Sequence, residues 1–227
     1  PYPALWALQR QQMRDDIRRY LLAAAGEDRL RTRCLHFELG FGVGAAPVEG
    51  LDPASRAEPA TMRTPAGEVR LRGRIDRVDR VEVQGNEGLL VVDYKTGRLP
   101  GAKDIAEGRD LQLAVYIEAA EQLLGAPSLG GLFQKIGRTA GPAARTMAAF
   151  TLRGGVPRPA AGFAEARERA AAAVGAIVEA VRGGRFDAAP THQCASWCPF
   201  RQACHYSEAR AELKSLVRPA GDEEDEA

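Results

Sequence analysis

Asp93 and Lys95 stand one residue apart at the end of an apolar run, Leu89-Leu90-Val91-Val92-Asp93-Tyr94-Lys95-Thr96-Gly97. Four apolar residues, a carboxylate, a lysine and a glycine turn predict a short buried strand. Side chains on a strand alternate faces, so Asp93 and Lys95 share one face and Tyr94 turns to the other. An acid and a base at the end of an apolar strand are poorly solvated unless something uses them. A divalent metal would use the carboxylate, and a developing oxyanion would use the ammonium.

A second carboxylate lies upstream. The run from Glu68 to Val83 alternates charged residues with Val69, Leu71, Gly73 and Ile75, which predicts one half-buried strand. The linker Gln84-Gly85-Asn86-Glu87-Gly88 is rich in turn formers, so the two runs read as an antiparallel hairpin. Such a hairpin brings Asp76 beside Asp93 on one face, with Lys95 close by. Two carboxylates and a lysine can hold Mg²⁺ or Mn²⁺ and activate water against a phosphodiester.

These residues carry a resemblance. Asp76, then Asp93-Tyr94-Lys95, resembles the PD-(D/E)XK nuclease signature. Gly73-Arg-Ile-Asp-Arg-Val-Asp79, Val92-Asp-Tyr-Lys-Thr-Gly97 and Gln112-Leu-Ala-Val-Tyr116 resemble, more narrowly, the RecB/AddB-type exonuclease domain of helicase–nucleases. Single-domain CRISPR-associated nucleases share much of this pattern. An Asp-x-Lys triplet alone is common; three blocks in order at short separations are specific. The resemblance implies a restriction-endonuclease-like α/β core, with a mixed central sheet flanked by helices. It implies that Asp76 and Asp93 hold the catalytic Mg²⁺ or Mn²⁺ with the Tyr94 carbonyl, and that Lys95 orients water and stabilises the transition state. Gln112 and Tyr116 would border the site, ordering the lysine or contacting DNA. Glu38-Leu-Gly-Phe-Gly42 is similar to a Glu-x-x-Phe-Gly block whose acid sits near the site, which makes Glu38 an auxiliary ligand or a structural acid. The implied substrate is DNA, with single-stranded ends expected, and the implied partner is a helicase, fused or associated. Two other readings share these residues: a non-catalytic DNA-binding or scaffolding module, and a CRISPR spacer-processing nuclease.

The elements that must position this site follow in order. Residues 3–25 read as a helix closed by Gly26, with Trp6, Met13, Ile17, Tyr20, Leu21 and Ala24 near one stripe. Residues 33–43 read as a strand with Cys34, His36 and Glu38 on one face. Residues 44–66, with four prolines, read as loop. Arg98 to Gly108 reads as a turn and approach segment. Residues 109–125 read as a helix with Leu111, Ala114, Val115, Leu123 and Leu124 toward the core; Gln112 and Tyr116, four apart, share a face. Strands are expected near Gly131–Ile136 and Thr146–Leu152. Phe163–Arg182, with Val174, Ile177, Val178 and Val181 at helical spacing, reads as a helix ending at Gly183-Gly184. The order α-β-β-β-α-β-β-α predicts a mixed sheet with helices on both faces.

Three of the four cysteines crowd into Cys194-Ala-Ser-Trp-Cys198-Pro-Phe-Arg-Gln-Ala-Cys204. No export signal is visible, so disulfides are not expected; thiolates this close favour a soft metal or an iron–sulfur cluster. The segment from Gly184 to Pro190 and the Cys-Pro-Phe-Arg that follows resemble the C-terminal cluster segment of AddB-type and CRISPR-associated nucleases. There, three C-terminal cysteines and one distant N-terminal cysteine hold a 4Fe–4S cluster. The spacing here, C-x3-C-x5-C, is one residue longer in its first gap. The fourth ligand would come from upstream of the chain or from Cys34, and zinc with His192 or His205 is the alternative.

Charge and length set the outer bounds. Lysine and arginine exceed acids by one, 31 to 30. Five acids lie in Asp222–Glu226, and setting them aside leaves 31 cations against 25 acids. A moderately basic body suits a DNA-binding domain. We expect one nuclease domain over residues 1–210, with a core over about 33–155 and the last helix and cysteines over 160–206. Residues 211–227 are expected to be a disordered acidic tail. No apolar run reaches the roughly 20 residues needed to span a bilayer, so the expected location is cytoplasmic. The first residue is Pro1, which suggests a piece of a longer protein.

Overall fold

A computed structural model describes residues 2–26, 32–44, 49–137, 144–153 and 156–186, together with residues 199, 200, 203, 207 and 209. The elements are α1 (Pro3–Gly26), β1 (Arg33–Phe41), β2 (Ala60–Thr64), β3 (Gly67–Leu71), β4 (Gly73–Val83), β5 (Asn86–Lys95), α2 (Ala102–Ala106), α3 (Gln112–Leu124), β6 (Ser128–Lys135), β7 (Ala144–Ala148), β8 (Phe150–Arg153), β9 (Val156–Pro159) and α4 (Phe163–Arg182). Residues Pro1–Glu179 form one compact unit and Ala180–Ala227 a second.

The central sheet has the order β1-β4-β5-β6-β7. β1, β4 and β5 pair antiparallel in succession, β5 and β6 pair parallel, and β7 returns antiparallel. The mixed pairing follows from the connections. Gln84 and Gly85, at φ +52° and +81°, make the two-residue turn that lets β4 fold straight back as β5. The path from β5 to β6 instead runs through α2 and α3, the length of chain a parallel crossover needs.

Leu89, Leu90, Val91 and Val92 are all buried because both faces of β5 are covered. On one face Leu89 and Val91 join Leu39, Phe41, Leu113, Ile117, Phe133 and Ala170 in the main core. On the other, Leu90 packs with Val81, Val83 and Phe150. α3 ends at Gly125, whose left-handed φ of +65° terminates it.

The expected mixed α/β fold is present, with several local corrections. The charged run from Glu68 to Val83 is two strands. β3 pairs with β2 in a separate hairpin, and β4 enters the central sheet. The break falls at Arg72 and Gly73; a Cβ on Gly73 would lie 2.8 Å from Cζ of Phe41, so the strand passes under that ring only as glycine. Residues 44–66 contain a strand after all, because β3 supplies the hydrogen-bonding partner that the proline-rich sequence does not advertise. Arg98–Gly108 contains the short helix α2. The strand expected at Thr146–Leu152 divides into β7 and β8.

α1 forms over the expected span, with Pro3 in its first turn where a missing N–H costs nothing. Its apolar stripe is exposed all the same: Trp6, Met13, Ile17 and Leu21 are each at least half accessible, and Tyr20 is half-buried. On α3, Ala114 and Leu123 are buried, but Leu113, Ile117, Ala119 and Ala120 lie deeper. On α4 Val174 is buried, while Ile177 and Val181 are exposed. The even alternation expected through β1 fails, since the register shifts between Cys34 and His36, and Glu38 has φ +55°.

Candidate active site

β5 ends with Asp93, Tyr94 and Lys95 just where the apolar run stops. The pair Arg77–Val92 puts Asp76 next along β4, opposite Asp93. The tie between the strands is direct: the Tyr94 backbone N–H donates to Asp76 Oδ2 at 2.8 Å. Phe133 of β6 is the register partner of Asp93 on the other side, and the Lys95 ammonium lies 5.0 Å from its ring centroid. A cation over an aromatic face is held there by the ring quadrupole.

The first turn of α3 closes the arrangement. Gln112 accepts a hydrogen bond from Lys95 Nζ on Oε1 at 2.7 Å. Its Nε2 donates to Asp93 Oδ1 at 2.6 Å and to the Tyr116 hydroxyl at 3.1 Å. These partners leave one orientation for the amide, with its oxygen toward the ammonium and its nitrogen toward the carboxylate.

Asp93 is 3 % exposed. Its Oδ2 sits 2.6 Å from Lys95 Nζ as a charge pair, yet that buried oxygen accepts no well-angled hydrogen bond. Burial pushes the Asp93 carboxyl above its usual range; the Lys95 ammonium opposes this, and Asp76 and Asp110 add to it. Burial likewise raises the Tyr116 phenol against the pull of Gln112, and the charges of Asp93 and Asp76 raise it further.

This donor set fits a small hard cation. The site offers a buried carboxylate oxygen without a hydrogen bond, a second carboxylate opposite it, and a backbone carbonyl between Asp93 and Lys95. Mg²⁺ typically takes one or two protein carboxylates and fills the rest of its octahedron with water and phosphate oxygens. Among the described residues there is no group of three or more His, Cys, Asp or Glu side chains able to hold a metal. The candidate site is thus two carboxylates plus backbone.

Other expected residues lie apart from this set. Glu38 falls opposite Asp76 between the pairs Phe37–Arg77 and Leu39–Ile75, but its carboxylate reaches outward to Arg74 at 2.8 Å. Cys34 is an exposed free thiol at the start of β1. Cys194, Cys198 and Cys204 lie outside the described residues.

The other face of the same strands holds a network that sequence patterning does not pick out. Arg77, the neighbour of Asp76, forks both oxygens of Asp79, with Nε and Nη2 each at 2.6 Å. Its Nη1 donates to the Tyr94 hydroxyl at 3.1 Å. The Tyr94 and Tyr20 hydroxyls share a hydrogen bond of 3.1 Å, and the two rings meet edge to face at 5.6 Å. Burial works against the Arg77 charge, but Asp79 and Tyr94 together hold the guanidinium above its ordinary value. Burial also raises the Tyr20 phenol, helped by Tyr94. Two charges spaced i and i+2 within an otherwise apolar strand face are the available sign of this network.

The fold is that of a nuclease scaffold, and comparison with known proteins agrees. Residues 2–205 match the family model for the PD-(D/E)XK nuclease superfamily, and the chain belongs to that superfamily. Among curated relatives, it is similar to the B subunit of the ATP-dependent helicase/deoxyribonuclease of Desulforudis audaxviator, 39% identical over 104 residues, or 45% of this chain and 8% of that protein. The corresponding protein of Natranaerobius thermophilus is 37% identical over 84 residues, 37% of this chain and 6% of that one. That of Caldanaerobacter subterraneus subsp. tengcongensis is 43% identical over 53 residues, 23% and 5%. The matched stretches thus span less than a tenth of these relatives. No described helix is long and apolar enough to cross a membrane.

Proposed function

We propose that this chain is a divalent-metal-dependent deoxyribonuclease domain acting within a helicase–nuclease, with exonucleolytic cleavage of single-stranded DNA ends as its reaction. The observation that carries the reading is the buried Asp93 carboxylate, set opposite Asp76 and clamped to Lys95 through Gln112. A chain built only for stability gains little from burying a carboxylate and a lysine together. The names of the relatives support the DNA substrate and the helicase association.

In this reading Asp76, Asp93 and the Tyr94 carbonyl would hold Mg²⁺ or Mn²⁺, which would supply Lewis acidity and lower the pKa of bound water. The residues of the chain do the rest. Gln112 keeps the Lys95 ammonium at the rim of the two acids, with a proton left over for a phosphate oxygen or the attacking water. Charge gathering on the phosphate oxygens in the transition state meets that fixed ammonium, which needs no reorganisation. Tyr116 holds the Gln112 amide from behind. Phe133 backs the lysine and keeps water from its far side.

Incubation of labelled single-stranded DNA with Mg²⁺ or Mn²⁺ tests this. Cleavage that disappears in Asp93→Ala supports the nuclease. Tight DNA binding without cleavage under either metal supports a non-catalytic binding module instead. For Cys194, Cys198 and Cys204 we propose a 4Fe–4S cluster, with zinc as the alternative. Anaerobically purified protein should be brown and carry iron and sulfide. Colourless protein with about one zinc moves the site to Cys/His ligation, and metal-free protein rejects both.

A further inference from the structure

Tyr94 has its backbone on the reacting face and its side chain on the opposite one. Its N–H holds Asp76 at 2.8 Å, and its carbonyl is the third ligand in the nuclease reading, on which this inference rests. Its hydroxyl is fastened on the opposite face by Arg77 at 3.1 Å and by Tyr20 at 3.1 Å. Arg77 is itself immobilised by the two-pronged bond to Asp79, a residue 1 % exposed. We propose that the Tyr94 hydroxyl is a positioning group for the metal site: the Arg77–Asp79 fork and Tyr20 hold the phenol, and so fix the rotation of the Tyr94 backbone that holds Asp76 and presents the carbonyl.

The geometry gives the reason. Tyr94 sits at the last turn of pleat on β5, where burial falls from complete at Val92 and Asp93 to partial at Tyr94 and Lys95. β6 pairs with the strand as far as Lys95, but the β4 ladder stops at Val92, so on that side only side chains oppose a twist of the strand end. Such a twist would move the carbonyl, the N–H and both flanking side chains together, since all are displaced by the same backbone rotation. On the front face Gln112 holds the two flanking side chains, but the Tyr94 N–H itself rests on the Asp76 carboxylate, for which a bound cation would compete. The back-face anchor keeps the strand end in place during that competition. Arginine suits the task because its planar fork can satisfy Asp79 twice and still turn one N–H toward Tyr94, which a lysine cannot do. Outer groups that orient ligands typically change metal affinity about 10–100-fold when removed.

The test is Tyr94→Phe, which removes the hydroxyl and leaves the ring and the backbone. Mn²⁺ is titrated calorimetrically into wild type and variant without DNA, and thermal unfolding of the metal-free proteins is followed alongside. The expected result is an Mn²⁺ Kd about tenfold weaker, with little change in metal-free Tm. Arg77→Lys should weaken Mn²⁺ in the same direction. The Mn²⁺ concentration for half-maximal DNA cleavage should rise in parallel. An unchanged Kd in Tyr94→Phe overturns the proposal and leaves the nuclease reading standing. A loss of Tm with unchanged Kd makes the hydroxyl merely structural. Wild-type protein that neither binds Mn²⁺ nor cleaves DNA overturns both. Should Tyr94→Phe fail to fold, Tyr20→Phe, which removes the outer phenol's hydroxyl, takes its place in the same titration: a weaker Kd supports the anchor and an unchanged Kd overturns it.

Discussion

The ammonium of Lys95 and the side-chain carbonyl of Gln112 meet at 2.7 Å, a contact that joins the end of β5 to the first turn of α3. The same amide passes its nitrogen to Asp93, so acid and base are held by opposite ends of one group.

That division makes Gln112→Glu more harmful than its size suggests. It removes the donor to Asp93 and sets a second carboxylate against a buried one. Turnover on single-stranded DNA should fall about 100-fold, with DNA binding much less affected. Wild-type kcat in Gln112→Glu would dismiss the clamp.

Asp93→Asn should abolish cleavage and raise metal-free stability, because burial, with Asp76 and Asp110 nearby, works against the Asp93 charge more than Lys95 offsets it, while Lys95 keeps Gln112. A gain of about 1 kcal/mol corresponds to a Tm increase of roughly 2–4 °C for a chain of this size. Differential scanning calorimetry of both proteins in chelator decides it, and a lower Tm in the variant is the contrary result. Asp76→Ala should also abolish cleavage.

Lys95→Ala should lower kcat far more than it weakens metal binding, since charge stabilisation is lost and no ligand is. A decrease of about 100- to 1,000-fold in kcat at saturating Mn²⁺ is expected. Collapse of Mn²⁺ binding with normal turnover at saturation would instead make the lysine a mere counter-ion.

Asp52 gives a pH signature of its own. Burial would raise its carboxyl, but the Ala54 N–H, His36 and the Phe37 N–H hold it below its usual value. Its oxygens lie 2.8 Å from Ala54 N and 3.0 Å from His36 Nδ1. A depressed carboxyl adds stability that is present above the unfolded pKa and lost as pH falls through the folded one. Asp52→Asn should therefore cost about 1–3 kcal/mol at pH 7, and the gap to wild type should close toward pH 3. Urea melts across that range measure it; a gap independent of pH counts against the ionic role.

Gly130 of β6 lies in register with Ala148 of β7. Its φ is +143°, and a Cβ there would lie 2.4 Å from Cα of Ala148. Gly130→Ala must push the two strands apart, at roughly 2–4 kcal/mol. Denaturant midpoints should show it, and an unchanged midpoint would mean the strands adjust freely.

The front of the site is legible in the sequence because it rests on local rules. Period-two alternation puts Asp93 and Lys95 together, a glycine turn returns β4 on β5, and helical spacing pairs Gln112 with Tyr116. The back is not, because it depends on contacts across long separations. Tyr20 is 74 residues from Tyr94, and nothing near Tyr20 marks it as the residue of α1 that meets the sheet. β2 is hidden for a similar reason: its partner β3 has the pattern of the start of a longer strand. The exposed stripe of α1 shows the limit of periodicity, which marks a face as apolar and does not say whether anything lies against it.

The two kinds of strand pairing around β5 also set an order of assembly. β4 and β5 are joined by a two-residue turn, and hairpins close within about 1–10 μs. The parallel partner β6 can dock only after α2 and α3 have been laid down, and pairings of greater sequence separation form later. Asp76 and Asp93 therefore come into register before Gln112 and Phe133 exist to restrain Lys95. On the ribosome, a chain that has emerged only as far as β5 carries both acids with an untethered lysine. In the proposed nuclease the centre would thus stay incomplete until most of the unit has folded around it, which would spare the cell an active enzyme on an unfinished chain.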